Sequence, residues 1–269
     1  MSRRRLDAEL VRRKLARSRE HAGQLIADGR VKVGGQTAGK AATQVETGAA
    51  IVVDTGDAGP EYVSRGGHKL AGALEAFADL RPEGRVCLDA GASTGGFTDV
   101  LLRAGAARVY AVDVGYGQIA WSLRTDERVT VLERVNVRDL TPEQLGQPEA
   151  AAPDLVVGDL SFISLKLVLG PVKACAAPGA DYALMVKPQF EVGKERVGAG
   201  GVVRDPELRA EAVRDVAAHA RTLGLGVRGV TASPLPGPSG NVEYFLWLRA
   251  DAPPLDEAGL KKAITEGPQ

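Results

Sequence analysis

The segment "CLDAGASTGGFTDVLL", residues 87–102, indicates the class of fold most directly. It reads as an apolar strand, a turn rich in glycine and the start of a helix. Such a turn brings backbone N–H groups close to a ligand at the carboxyl edge of a parallel sheet. Because several cofactors use glycines in this way, the turn alone predicts a ligand site without identifying the ligand.

Three details of this region favour S-adenosylmethionine. The spacing D-x-G-x-x-x-G-G differs from the G-x-G-x-x-G of dinucleotide sites. Asp89 precedes the first glycine, where its carboxylate can meet the methionine end, and Asp113 closes the next strand, where it can accept both ribose hydroxyls. The stretch "RVNVRDL" (134–140) follows the third strand, the usual place for an adenine contact. The predicted cofactor residues are Asp89, Gly91, Ser93, Thr94, Gly95, Gly96, Phe97, Asp113, Val114, Asn136 and Val137. A nicotinamide cofactor and a purely structural turn are the alternatives.

The chain after residue 64 alternates apolar runs with helical patterns. Buried strands that read as apolar runs, each followed by a helix, indicate a mostly parallel sheet covered on both faces. We therefore expect a Rossmann-like α/β domain with a mostly parallel seven-stranded sheet over residues 65–269. The C-terminal "LDEAGLKKAITEGPQ" has helical character.

The first 59 residues predict a separate small α+β domain. Two short helices lie within residues 6–27, followed by the hairpin "RVKVGGQ" (30–36) and the strand "AIVVD" (50–54). Residues 1–40 hold eleven basic and four acidic side chains, net +7, in a chain whose overall net charge is zero. A basic lobe on a neutral body is typical of a polyanion binder. The polar, Gly- and Pro-containing stretch before Arg65 predicts an interdomain linker at residues 60–64.

Composition excludes several classes of protein. Two cysteines cannot form a disulfide framework or a four-thiolate metal site, and three scattered histidines do not suggest a metal centre. The basic N-terminus is not followed by an apolar segment of a secretory signal, and no apolar run approaches the ~18 residues that cross a bilayer. We expect a cytoplasmic protein without a metal.

Charged side chains at the predicted strand ends indicate a catalytic centre. Asp159 follows the fourth strand in "GDLSF", Lys187 ends the apolar strand "DYALMV", and Glu243 opens the last strand. Lys69, in "SRGGHKL" (64–70), lies at the start of a predicted helix. A cation is disfavoured there because the helix N-terminus carries a partial positive charge, which suggests that the ammonium has a function. Together they provide two ammoniums and two carboxylates at one rim. A base methylase is disfavoured, because the Pro-Pro-aromatic pattern of amine methylation and a nucleophilic cysteine beside proline are both missing.

These motifs resemble known families over nearly the whole chain. "LDAELVRRKLARSREHAGQLIADGRVKVGGQ" (6–36) resembles the S4 RNA-binding fold. Lys69, Asp159, Lys187 and Glu243 match the Lys-Asp-Lys-Glu tetrad of the FtsJ-like ribose 2′-O-methyltransferases. With "DVGYGQIAWSLR", "VKPQFEVGK" and "SPLPGPSGNVEYFLWLR", the chain resembles the TlyA family of rRNA cytidine-2′-O-methyltransferases, whose members are also called haemolysins.

The resemblance implies a class I S-adenosylmethionine-dependent enzyme that acts as a monomer on ribosomal RNA within ribosomal subunits. The arginine-rich N-terminus and the helical C-terminal tail suggest the form that modifies both 16S and 23S rRNA. Loss of such methylation would alter susceptibility to capreomycin-type antibiotics. The implied RNA-binding residues are Arg5, Arg17, Arg19, Arg30, Lys32, Lys40, Arg65, Arg134, Arg138, Phe162 and Lys194. Phe162 is expected to stack on a displaced base, with core packing as its alternative.

The tetrad suits attack by a ribose hydroxyl, which is a poor nucleophile and needs a base. A lysine accepts a proton only in its neutral form, which burial and a neighbouring ammonium both favour. Our hypothesis is that Lys187 accepts the proton and that Lys69 stabilises the developing alkoxide. Asp159 and Glu243 would orient the two lysines. The two lysines could exchange these roles.

Two other functions fit part of the sequence. One is a membrane-active haemolysin, which has little physical support because no spanning segment or signal is found. The other is an S4-type RNA-binding protein with an inert second domain, which the intact tetrad and cofactor loop disfavour.

Overall fold

The chain divides at residue 61 into two units, residues 1–61 and 62–269. The structure is a computed structural model that describes residues 3–16, 18–53, 62–147, 150–237 and 239–268. The predicted linker spans this division, and its residues 60 and 61 lie outside the described ranges. Val63, within that predicted linker, is part of the second unit, where its backbone N–H donates to Asp99 Oδ2 at 2.9 Å.

The first unit combines two helices with two small antiparallel sheets, β1–β4 and β3–β2–β5. Leu6, Leu10, Leu25 and Ile26 from the helices form its core with Val31. The predicted helices, hairpin and closing strand are confirmed, whereas β1 and β4 were not predicted, because their sequences, Arg-Arg-Arg and Gln-Val-Glu, are mostly polar. The elements are β1 (Arg3–Arg5), α1 (Leu6–Arg12), α2 (Arg19–Ala27), β2 (Val31–Val33), β3 (Gln36–Thr37), β4 (Gln44–Glu46) and β5 (Ile51–Val53).

Two buried carboxylates on α1 hold arginines of the basic lobe. Asp7, 4% exposed, accepts hydrogen bonds from Arg5 at 2.8 and 3.1 Å and from Arg19 at 3.0 Å. These guanidiniums keep the pKa of Asp7 well below its usual range. Glu9 is fully buried and in the same way pairs with Arg12 and Arg13, which lower its pKa to about 2. Several arginines of the first unit are therefore held in place by buried carboxylates of the same unit.

The second unit contains a seven-stranded sheet in the order β11-β12-β10-β9-β6-β7-β8 within the described residues. Only β12 is antiparallel to its neighbours, β10 and β11. The predicted fold class, a mostly parallel Rossmann-like sheet, is confirmed. The strands are β6 (Val86–Ala90), β7 (Arg108–Asp113), β8 (Val129–Glu133), β9 (Leu155–Gly158), β10 (Asp181–Val186), β11 (Gly226–Ala232) and β12 (Tyr244–Arg249).

Helices cover both faces of this sheet because alternate strand residues point to opposite sides. On β10, Ala183 and Met185 pack with α3 and α4, whereas Leu184 and Val186 pack with α6 and α8. Asp205 and Asp256 cap the N-termini of α8 and α9 by accepting backbone N–H groups. The helices are α3 (Gly66–Ala76), α4 (Gly96–Arg103), α5 (Trp121–Arg124), α6 (Leu169–Cys175), α7 (Pro188–Glu191), α8 (Pro206–Thr222) and α9 (Glu257–Glu266), with 3₁₀ turns at Val137–Asp139, Pro142–Leu145, Leu165–Leu167, Lys194–Arg196 and Ala199–Gly201.

Helices α3 and α4 meet almost backbone to backbone at their N-termini. A Cβ on Gly96 would lie 2.8 Å from the backbone N of Gly67 and 3.2 Å from the carbonyl carbon of Gly66. Gly66 and Gly67 both lie inside α3, and neither has a left-handed φ. Gly66 and Gly67 thus do not form a tight turn, and it is Gly96 that permits the close approach of the two helices. This packing places the first turn of α3, with Lys69, over the sheet.

The described ranges contain neither a membrane-spanning helix nor a cluster of metal ligands. No helix there is both long and apolar enough to cross a bilayer. In the same ranges, no group of three or more His, Cys, Asp or Glu side chains is placed to hold a metal ion.

The close contact predicts a destabilising substitution. Gly96→Ala should lower the free energy of unfolding by about 1–3 kcal/mol, because the added methyl group overpacks a contact between two backbones. Urea unfolding measures this change. Gly170→Ala is the control, since nothing lies within 4 Å of its added methyl group on α6. Equal stability of the two variants would contradict the predicted close packing.

Candidate active site

Four charged side chains meet at the carboxyl edge of the sheet. Lys69 Nζ lies 2.5 Å from Glu243 Oε2 and 3.9 Å from Asp159 Oδ2. Lys187 Nζ lies 2.6 Å from Asp159 Oδ1. The structure therefore brings together all four residues that the sequence singled out.

The strand order explains this convergence. Asp159 follows β9 and Lys187 follows the parallel neighbour β10, so both lie at the same edge. Glu243 precedes β12, which runs antiparallel to β10 and pairs Tyr244 with Val186. The start of β12 is therefore beside the end of β10. Lys69 reaches the same edge from the first turn of α3.

The cluster is buried and electrically balanced. Lys69, Lys187 and Glu243 are 8%, 6% and 1% exposed, and the Asp159 side chain is 21% exposed. Burying an ammonium or a carboxylate is costly unless an opposite charge or hydrogen bonds compensate it. Here each lysine is paired with a carboxylate, and Asp159, the most exposed member, links the cluster to the cavity beside it.

Ser161 belongs to this centre and was not predicted. Its Oγ accepts a hydrogen bond from Lys187 Nζ at 2.8 Å. It lies in the loop after β9, where the backbone path decides which side chain faces inward, and the sequence carries no signal for that path.

A cavity of about 510 Å³ opens beside Asp159. Gly91, with a φ of +86°, lies on its wall, and a Cβ there would come within 3.1 Å of the Asp159 carbonyl oxygen. Predicted cofactor residues that line the cavity are Gly91, Ser93, Asp113, Val114, Asn136 and Val137, and Gln118, Leu160, Ser161, Phe162, Ile163 and Val168 complete the wall.

Asp113 is held rigidly at the end of β7. Its Oδ2 accepts the backbone N–H of Ser93 at 2.7 Å, and its Oδ1 accepts that of Gly115 at 2.6 Å. Each carboxylate oxygen retains a second lone pair, so both can still accept hydroxyl donors. This geometry suits a ligand with a vicinal diol.

Several predicted cofactor residues do not reach the cavity wall. Phe97 is 3% exposed and stacks on Phe245 in the core, with ring centroids 5.9 Å apart. Gly95 faces the Leu123 side chain, and Gly96 faces α3. The Thr94 carbonyl oxygen accepts the backbone N–H of Ala120. These residues shape the turn and its packing and do not form the surface of the cavity.

Comparison with known proteins identifies the chain. The family model of the FtsJ-like methyltransferases matches residues 62–250, and that of the S4 domain matches residues 4–51. The Mycobacterium tuberculosis protein named 16S/23S rRNA (cytidine-2′-O)-methyltransferase TlyA is 60% identical over 269 residues, covering 98% of each chain. The chain belongs to the TlyA family of FtsJ-like methyltransferases.

Two further proteins resemble this chain at lower identity. The 23S rRNA (cytidine-2′-O)-methyltransferase TlyA of Campylobacter jejuni is 35% identical over 69% of this chain and 70% of its own. A solved structure from Streptococcus thermophilus, of a protein named as a hemolysin, superposes with a TM-score of 0.77 at 36% identity, covering 99% of this chain and 96% of that one.

Asp89 is not among the residues that line the cavity of this TlyA-family chain. It is fully buried, and its Oδ2 accepts a hydrogen bond from Thr98 Oγ1 at 2.7 Å. Its Oδ1 has no hydrogen-bond donor among the described residues. Burial raises the pKa of Asp89 to about 7, and the charges of Asp159 and Asp113 add to that shift.

Phe162 lies at the mouth of the cavity with a φ of +65°. Its side chain is 91% exposed, which excludes the alternative of core packing. A positive φ is strained for a bulky residue and persists only where the surroundings hold it.

The predicted RNA-binding residues occupy different environments in the two units. Arg5 and Arg19 are exposed yet tied to Asp7, and Arg134 lies 4.4 Å over the Tyr116 ring. Arg17 lies outside the described residues. The side chains of Lys32, Lys40, Arg65, Arg138 and Lys194 are exposed, and that of Arg30 is half-buried.

The raised pKa of Asp89 predicts a pH-dependent loss of stability. Because its folded pKa, about 7, is above its ordinary value of 3.8, the stability that it contributes is complete below about pH 4 and is lost as the pH rises through 7. The free energy of unfolding of the wild type, relative to Asp89→Asn, should fall by up to about 4 kcal/mol between pH 4 and pH 8. Urea unfolding of both proteins at each pH measures it, and a difference that stays constant with pH would contradict the assignment.

Proposed function

We propose that this chain methylates the ribose 2′-hydroxyl of cytidine in ribosomal RNA, with S-adenosylmethionine as the methyl donor. The observation that carries the proposal is the paired Lys69–Glu243 and Lys187–Asp159 cluster at one end of a ligand-sized cavity. A hydroxyl nucleophile needs a base and electrostatic stabilisation of its oxygen, and these residue types supply both.

The cavity fits the cofactor. Its volume is in the range of small-molecule sites, and the backbone-held Asp113 carboxylate offers the acceptors that a ribose diol requires. Asn136 and Val137 would contact the adenine, and Gly91 leaves room for the methionine end beside Asp159. When bound, S-adenosylmethionine supplies an electrophilic methyl group for in-line attack by the ribose oxygen.

The geometry favours Lys187 as the proton acceptor. Its Nζ contacts Asp159 and Ser161, which both line the cavity, whereas Lys69 Nζ contacts the deeply buried Glu243 and lies 4.0 Å from Met185 Sδ. Lys187 Nζ would accept the hydroxyl proton as the ribose oxygen takes the methyl group from the sulfonium, whose sulfur would keep the electron pair of the broken S–C bond. The Lys69 ammonium, held by Glu243, stabilises the negative charge on the oxygen.

Substitution of the lysines tests this assignment. Lys187→Ala and Lys69→Ala should each lower kcat by at least about 100-fold, because each removes proton transfer or charge stabilisation in the transition state. Their affinity for S-adenosylmethionine, measured by calorimetry, should stay within about threefold of wild type. Lys173→Ala, an exposed lysine on α6, is the matched control. Near-normal turnover of both active-site variants would refute the proposal.

The proposed substrates are cytidines in both ribosomal subunits. The M. tuberculosis relative, whose name gives 16S and 23S rRNA, matches 98% of this chain, including the S4 unit and the C-terminal α9. The basic side chains of the first unit would supply phosphate contacts, which position RNA without reading its sequence. Exposed Phe162 at the cavity mouth would stack on the extruded base.

The choice of subunit has its own test. Purified protein with S-adenosylmethionine should add 2′-O-methyl groups to cytidine in both isolated 30S and isolated 50S subunits from cells that lack this gene. Mass spectrometry of nuclease fragments measures the modification, and the Lys187→Ala protein is the negative control. Methylation of the 50S subunit alone would restrict the function to 23S rRNA.

A further inference from the structure

Glu191 is a buried carboxylate that the proposed mechanism does not use. It ends the short helix α7, four residues after Lys187, and is 9% exposed. One of its oxygens accepts the Ser164 hydroxyl at 2.5 Å, and the other accepts the Leu165 backbone N–H at 2.8 Å. Both donors belong to the loop that follows β9. A buried carboxylate that receives two hydrogen bonds across two chain segments fixes their separation.

The loop that Glu191 holds carries three residues of the site. Residues 159–165 include Asp159 and Ser161, which bind Lys187, and Phe162, which stands at the cavity mouth. Its backbone is strained at Phe162, whose φ is +65°. Such a conformation costs on the order of 1–3 kcal/mol and must be held by other contacts.

The residues 187–191 form a clamp on this loop. At one end Lys187 binds Asp159 and Ser161. In the middle the Phe190 ring lies 5.3 Å from the Phe162 ring. At the other end Glu191 binds the start of the 3₁₀ turn Leu165–Leu167, through its N-cap Ser164 and its first residue. The contacts at both ends of residues 187–191 therefore hold the strained loop in the conformation that the structure shows.

We propose that Glu191 is a positioning residue for the reaction: it holds the 159–165 loop so that Asp159 faces the lysines and Phe162 stays exposed at the cavity mouth. This inference rests on the proposed function. The Glu191 carboxylate accepts hydrogen bonds from Ser164 and Leu165, and none of these three residues is among those that line the cavity. Its loss therefore affects turnover and RNA binding and spares the cofactor end of the cavity, where Asp113 is held independently.

Substitution of Glu191 separates positioning from general stability. Glu191→Ala should lower kcat about tenfold or more and raise KM for ribosomal subunits several-fold, with the S-adenosylmethionine Kd within twofold of wild type. Glu191→Gln retains one carbonyl oxygen as an acceptor and should recover at least part of the lost activity. Glu211→Ala, which removes an exposed carboxylate paired with Arg196, is the control. Ser164→Ala tests the same contact from the other side and serves if Glu191→Ala does not fold.

Two further measurements distinguish loss of the loop contact from loss of the proposed function. Hydrogen exchange at the Leu165 amide should be faster in Glu191→Ala than in wild type, whether or not the chain methylates RNA. The effects of Glu191→Ala and Phe162→Ala on KM should be less than additive, because both act on one loop. Unchanged exchange and unchanged kinetics in folded Glu191→Ala would overturn the inference. Absence of ribose methylation by the wild type would instead remove the proposed function.

Discussion

The structure depends on the pairing of Lys69 with Glu243 and Lys187 with Asp159. Four charges at a largely buried site are tolerated only because they compensate each other, and each has to arrive from a different element. This requirement fixes the positions of α3 and of the ends of β9, β10 and β12. The single antiparallel strand has a purpose in this arrangement, because only an antiparallel β12 brings its first residues, with Glu243, to the edge where β10 ends.

The glycines of the turn after β6 matter mainly because they leave room for neighbouring segments to approach closely. Gly96 lets α4 approach the backbone of α3, and Gly91 lets the turn approach the loop after β9. The same turn therefore borders the cavity at Gly91 and packs at Gly96 against the helix that carries Lys69. In this domain the packing of the helices and loops also positions the residues of the site. Asp113 differs, because two backbone N–H groups hold its carboxylate through local hydrogen bonds.

The sequence predicted the parts of this site that follow from strand order. Carboxyl ends of neighbouring parallel strands share an edge, so Asp159 and Lys187 could be placed together from the alternation of strands and helices alone. The directions in which side chains point within loops could not be predicted. Phe97 was assigned to the cofactor from its place in the turn but points into the core, and Ser161 was overlooked, because each depends on the path of the backbone. Pairing of Asp7 with Arg19, twelve residues away, also has no signature in the sequence.

The carboxylates beneath the arginines of the first unit change what its positive charge can do. A guanidinium already fixed by buried Asp7 loses little conformational entropy when it contacts a phosphate, so a rigid, shape-matched RNA gains most from it. The same carboxylate weakens the long-range field that would collect flexible polyanions. In the proposed function, arginines that are ordered in this way would favour a folded RNA over flexible nucleic acid.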